Sequence, residues 1–200
     1  MKFLNNFKDH EIKSVCKKYR ITNYTINPDG SIDVDGNVNL SHQKLTKLPL
    51  NFNIVTGYFD CSYNQLTNLK GSPKEVGGHF SCSYNQLTSL KGSPKEVGGS
   101  FNCYNNQLTS LEGSPKKVGG VFSCSNNQLT SLEGSPKEVG GDFYCSNNPL
   151  PKIILDNMKY IKKIIAYQGD DDGYGIWKKD GTLSLFAFND MMVEILEEEN

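Results

Sequence analysis

Between residues 59 and 150 the apolar residues fall at fixed offsets of a 21-residue unit. Phe59, Phe80, Phe101, Phe122 and Phe143 open successive units, and Cys61, Cys82, Cys103, Cys124 and Cys145 follow two positions later. Asn64, Asn85, Asn106, Asn127 and Asn148 come next, and pairs such as Leu108 and Leu111 and a Val (Val76, Val97, Val118, Val139) complete the apolar set. A strict period of this length marks a repeat solenoid, in which each unit buries its apolar side only against its neighbours. The pattern starts earlier in a diverged form. Val38 and Leu40 take the Phe and Cys offsets, Gln43 the Asn offset, Leu45 and Leu48 the Leu offsets, and Val55 the Val offset.

Each offset has a physical duty. Phe-x-Cys alternation puts both side chains on one face of a strand, which predicts a short parallel strand per unit with Phe and Cys inward. Stacked strands lie about 4.8 Å apart, so the thiols form a ladder of small hydrophobes rather than a disulfide framework. The Asn three residues after Cys ends the strand, and its amide is expected to satisfy backbone groups of its own turn and of the neighbouring unit. Gly-Ser-Pro forbids a regular helix on the return, because Pro lacks an N–H and fixes φ. The returning side is therefore expected to be extended or turn-like, with a short helical turn at most. The pairs Gly77-Gly78, Gly98-Gly99, Gly119-Gly120 and Gly140-Gly141 are expected to supply a sharp bend into the next strand.

The flanks break the period. Ile12, Val15, Cys16 and Tyr19 at helical spacing predict a helix over 3–21, and Tyr24–Ile26 with Ile32 and Val34 predict a hairpin. At the other end, Ile153 to Ile165 predict a helix. Asp170, Asp171 and Asp172 read as a solvated loop, and the turn Lys179-Asp180-Gly181 predicts a hairpin of Ile176–Lys178 and Leu183–Phe188. Asn189 is expected to cap a last helix over Asp190–Glu198. The organisation expected is an N-terminal cap (1–37), an array of about six units (38–150) and a C-terminal cap (151–200).

The unit F-x-C-S-x-N-x-L-T-S-L-x-G-S-P-K-x-V-G-G resembles the short leucine-rich repeats of bacterial and bacteriophage proteins. It is also similar to the bacterial effector class whose unit runs N-x-L-x-x-L-P-x-L-P-x-x-L. Pro73, Pro94, Pro115 and Pro136 fall at that class's second Pro, and the Val residues at its next Leu. Phe and Cys replace its aliphatic strand residues, and each unit is one residue longer. The resemblance covers 38–150. It implies an α/β leucine-rich-repeat solenoid with a parallel sheet on the concave face, an N-terminal helix/hairpin cap and a C-terminal α+β cap. Some effectors carry a ubiquitin-ligase domain after their repeats. The 50 residues after the array here are too few for one and include no Cys.

Charge narrows the function classes. Lys and Arg number 21 against 22 Asp and Glu, for a net charge of −1, and no basic block tracks a phosphate backbone, so nucleic acid is not an expected partner. The chain has no apolar run of spanning length and no signal-peptide pattern at its start, which predicts a cytoplasmic protein that does not bind membrane. His10, His42 and His79 are scattered without carboxylate or Ser partners at repeat offsets, and the glycine pairs lack the Lys-Ser/Thr of a phosphate loop. The expectation is a protein without enzymatic activity, metal or cofactor.

What remains is the set of offsets pointing away from the core. Before each Phe stand Tyr58, His79, Ser100, Val121 and Asp142, and between Phe and Cys stand Asp60, Ser81, Asn102, Ser123 and Tyr144. After Cys come Ser62, Ser83, Tyr104, Ser125 and Ser146, then Tyr63, Tyr84, Asn105, Asn126 and Asn147. The candidate partner-binding residues on the concave face are Tyr58, Asp60, Tyr63, His79, Tyr84, Asn102, Tyr104, Asn105, Asp142 and Tyr144. Exposed Tyr on a rigid sheet offers large contact area at low entropy cost, which points to a protein partner. The phage-like repeat implies a narrower expectation, a phage or bacterial protein that binds and inhibits a host defence factor. The sequence leaves two other classes open: a glycan or small-ligand binder on the concave face, and an assembly component. The chain is expected to be a monomer or a weak homodimer through the C-terminal cap, in which Met191 and Met192 would take part.

Overall fold

The computed structural model describes residues 2–167, 174–178 and 182–198, with side chains from residue 9 onward. The expected Asp170–Asp172 loop and the Lys179-Asp180-Gly181 turn lie outside the described residues. The array is a parallel β-solenoid with two sheets. Sheet I holds six strands: Val38–Asn39, Phe59–Asp60, Phe80–Ser81, Phe101–Asn102, Phe122–Ser123 and Phe143–Tyr144. Each pairs in parallel with the equivalent residues of the next unit, Phe59 with Phe80 and Phe80 with Phe101.

The returning side is extended, as expected, and goes further than expected by pairing from turn to turn. No helix interrupts 38–150; the Val offset instead builds a second parallel sheet. Sheet II runs through Tyr24–Ile26, Ile32–Val34, Phe52–Val55, Glu75–Val76, Glu96–Val97, Lys117–Val118 and Glu138–Val139. Its first two strands form the expected antiparallel hairpin, and the rest are parallel. The α/β character expected of the array is therefore absent from it. This matters for shape. A helix on the returning side is about 10 Å across against a strand spacing of about 4.8 Å, and that mismatch bends a helix-backed solenoid. With strands on both sides each turn advances equally, so the surface of sheet I has no such cause to become concave.

Between the sheets the core is a stack of identical layers. Phe59, Phe80, Phe101 and Phe122 are fully buried. Their rings, with that of Phe143, stack nearly parallel at centroid distances of 5.1 to 5.6 Å. The Cys ladder lies beside them, all of it buried and unbridged. Fully burying one large apolar side chain contributes about 1.5–3 kcal/mol, so each unit's Phe, two Leu and Val outweigh its exposed charge pairs. Those pairs, Lys91–Glu112 at 3.0 Å and Lys117–Glu138 at 2.8 Å, are solvent-exposed and add little.

The glycine pairs have a different reason than bending. A Cβ built on Gly77, Gly98, Gly119 or Gly140 would collide with the carbonyl oxygen of the residue one turn earlier (Thr56, Gly77, Gly98 and Gly119). None of these glycines has positive φ. They are glycine because successive turns touch there, backbone on backbone. The left-handed conformation belongs to the glycine of Gly-Ser-Pro, as at Gly92 (φ 92°).

At the N-terminus α1 (Lys2–Lys18) buries Ile12 and Cys16 in the common core. It ends three residues before the expected boundary. Arg20 turns to φ 56°, its N–H donates to the Lys17 carbonyl at 3.3 Å, and the Ile21 N–H donates to that of Cys16 at 2.9 Å. This is the Schellman closure, with Arg in the place usually held by Gly. After the array the expected single helix breaks at Asn157 into α2 (Lys152–Asp156), a 3₁₀ turn (Met158–Tyr160) and α3 (Ile161–Tyr167). Trp177 and Leu183 form one antiparallel bridge. The strand expected over Leu183–Phe188 is otherwise the start of α4 (Leu185–Glu197), capped by the Ser184 hydroxyl rather than Asn189. Phe188, Met191, Met192 and Ile195, at helical spacing, face the core. Met191 and Met192 are therefore not an exposed pairing surface. The exposed apolar residues of α4 are Leu185, Phe186, Val193 and Leu196.

Candidate functional site

The asparagine after each sheet I strand from Phe59–Asp60 onward builds the platform on which the site stands. The Asn85 amide donates to the Cys61 and Cys82 carbonyls at 3.0 and 3.1 Å, and its oxygen accepts the Leu66 N–H at 2.9 Å. Asn64, Asn106, Asn127 and Asn148 repeat the arrangement. This confirms the expected ladder and ties each turn to the one before it.

To reach that geometry the backbone turns sharply at the preceding residue. His42, Tyr63, Tyr84, Asn105, Asn126 and Asn147 all have φ between 52° and 57°. Asn and His enter this left-handed region readily; a bulky aromatic there is unusual. The later units thus carry the residue the backbone prefers, and the earlier ones carry tyrosine against that preference.

The rings form a ladder of their own. His42 stacks on Tyr63 at 4.3 Å between centroids with 12° between planes, and Tyr63 on Tyr84 at 4.3 Å and 15°. Tyr104, one offset earlier in its unit, closes the row edge-on to Tyr84 at 5.3 Å. Tyr63 and Tyr84 remain 44% and 40% exposed, with their facing ring surfaces covered by one another. Desolvation, followed by the contact with the Tyr84 hydroxyl, holds the Tyr63 hydroxyl above its ordinary value.

The other expected site residues separate from this ladder. Tyr58 is exposed before its strand, and its N–H donates to Asn37 Oδ1 at 2.9 Å. His79 sits at the same offset, where its Nδ1 accepts the Ser100 N–H at 2.8 Å, so its proton is on Nε2. Asp60 is occupied locally: Oδ1 accepts from the Ser62 N–H at 2.9 Å and the Ser62 hydroxyl at 2.6 Å. Asn102 and Asn105 are half-buried, Asn102 within sheet I and Asn105 in the left-handed row. Asp142 and Tyr144 form a separate pair at the far end, joined by a 2.9 Å hydrogen bond that raises the pKa of the tyrosine. Ser62 and Ser83, expected to point outward, are buried instead. Of the ten residues expected to share one surface, the structure brings Tyr63, Tyr84 and Tyr104 into direct contact.

His42 was missed by the sequence reading. Its signal was available, since it lies 21 residues before Tyr63 in the diverged first unit. Among the described residues no cluster of three or more His, Cys, Asp or Glu could hold a metal, and no helix is long and apolar enough to cross a membrane. Comparison with protein-family models, curated proteins and solved structures finds no match in any of the three.

Proposed function

We propose that this chain is a non-enzymatic protein-recognition module and that the ladder of His42, Tyr63, Tyr84 and Tyr104 is its principal contact. One observation carries the reading: tyrosines occupy the left-handed position where the later units place Asn. Backbone strain of this kind amounts to about 1–3 kcal/mol and persists where a site uses it. Stacking the rings fixes their rotamers before a partner arrives, so little side-chain entropy is lost on docking. A second copy or a host protein could serve as the partner; an inhibitor of a bacterial defence factor is the narrower form, and it rests on the resemblance of the repeat alone. Within the same reading the solenoid is a leucine-rich repeat of unusual type, supported by its Asn ladder and its two Leu per unit.

The glycan alternative loses its main support in this geometry. Sugars stack on aromatic faces, and here both faces of Tyr63 are covered, by His42 and Tyr84.

Exchanging Tyr63 and Tyr84 for Asn, the residue native to that offset further along, separates binding from folding. Affinity purification with quantitative mass spectrometry should recover a stoichiometric partner with the wild type and lose most of it with the double variant. Equal recovery by both, with matching melting curves, would sink the proposal.

A further inference from the structure

Sheet I ends at Val38–Asn39, which is bonded to a neighbour on one side only. The N–H groups of Val38, Leu40 and His42 donate to the Tyr58, Asp60 and Ser62 carbonyls of the next turn. In a parallel ladder alternate residues serve opposite sides, so the backbone of Asn37 and Asn39 faces away from the array. Sheet II does not share this edge, because the Tyr24–Val34 hairpin covers its own first turn. The core under the edge is closed as well: Val38 and Leu40 are fully buried. What stays open is the backbone.

A cleft of 520 Å³ lies along it. Its outer wall is the closure of α1, Lys18 to Arg20, held out by the left-handed Arg20; its inner wall is Asn37, Asn39 and Tyr58. Such edges are commonly blunted by a covering element or by a lysine pointing along the strand. Here the cations stand across a gap from the edge. Lys18 and Arg20 line the cleft, and among the described residues no carboxylate does. Ser41 and Gln43 line it too, and they flank His42, the head of the ring ladder, so the cleft and the ladder form one continuous surface.

We infer that the cleft takes an extended acidic peptide segment, which adds to sheet I as a seventh strand before Val38–Asn39. Main-chain bonds to Asn37 and Asn39 would supply affinity, and carboxylates facing Lys18 and Arg20 would supply selection. The inference rests on the reading of the chain as a protein-binding module and identifies which part of a partner it grips first.

Fluorescence polarisation with labelled octapeptides tests it. One peptide alternates Thr with Glu, a second alternates Thr with Lys, and a third is the Thr/Glu peptide N-methylated at alternate residues on its bonding edge. At low salt the Thr/Glu peptide should saturate the protein and bind at least about tenfold more tightly than either of the others. The Lys18→Glu/Arg20→Glu variant should lose that preference with its melting curve unchanged. Equal binding of the N-methylated peptide, or no saturation by the Thr/Glu peptide up to about 1 mM, overturns the inference. Either result leaves the tyrosine reading standing, since the Tyr63→Asn/Tyr84→Asn variant keeps the cleft and is read by partner recovery. If that variant retains its partner while the octapeptide binds, the ladder reading fails and the cleft remains.

Discussion

At Tyr63 and Tyr84 the backbone and the side chain make opposite demands. A left-handed tyrosine costs about 1–2 kcal/mol, while an aromatic pair returns about 0.5–1.5 kcal/mol. These nearly cancel, so Tyr63→Asn/Tyr84→Asn should change stability by no more than about 1 kcal/mol by urea denaturation. A larger loss would mean that the ladder is a structural strut. The cysteines pose a sharper case. Burial holds the Cys61, Cys82, Cys103 and Cys124 thiols well above their ordinary value, and Cys145 is pushed up from 9.0 to about 11. A raised folded-state pKa favours the protonated form, so its contribution is complete below pH 9.0 and is lost as pH climbs through the folded value. For Cys145 that window runs from 9.0 to about 11. Stability by urea melts should therefore be level from pH 7 to 8.5 and fall across that window. Exchanging Cys145 for Ala should make the decline shallower by one thiol's share, measured against the same variant at pH 7, while Cys61, Cys82, Cys103 and Cys124 keep theirs.

At the scale of the element, the inward half of each turn was legible, and of the returning half only its extended backbone was, not its pairing into a second sheet. Phe-x-Cys alternation and the Asn three residues later leave few alternatives, and sheet I and its ladder follow directly. Sheet II escaped because from Glu75–Val76 onward its strands are two residues long, and Glu-Val or Lys-Val carries no alternation to read. The strand is made by the turn before it, not by its own propensity. The glycine pairs misled for a related reason: two adjacent glycines suggest φ freedom, whereas the first of each pair is excluded from having a side chain by the turn beneath it. Tyr63, Tyr84, Asn105, Asn126 and Asn147 were legible as one offset of the repeat, but the left-handed backbone they share is seen only in the fold. A consequence follows for Gly98. Its exchange for Ala forces a methyl against the Gly77 carbonyl, and backbone cannot swing aside as a side chain can. Gly98→Ala should cost about 3 kcal/mol or more by chemical denaturation. Gly30→Ala, which meets nothing within 4 Å but has φ 82°, should cost only the backbone strain, about 1 kcal/mol.

The whole molecule is one core read layer by layer, from Ile12 and Cys16 of α1 to Ile195 of α4. In such an array stability is approximately a sum of unit terms and contacts between neighbours, so the number of units is adjustable while the register is not. Deleting residues 106–126 joins Asn105 to Asn127 and removes one full period. Every ladder is rejoined in phase, and His42, Tyr63, Tyr84 and Tyr104 stay where they are. This shortened chain should fold with one cooperative transition, a lower denaturant slope in proportion to the surface removed, and undiminished partner recovery. Deleting 106–115 instead rejoins the chain out of phase. Lys116 then takes the Asn offset, the turn loses the amide that binds the Cys82 and Cys103 carbonyls, and the following apolar residues meet the wrong layer. That variant should show a broad, non-cooperative loss of far-ultraviolet ellipticity. If the two deletions behave alike, the turns are not the interchangeable units their ladders imply, and stability resides in the flanking helices instead.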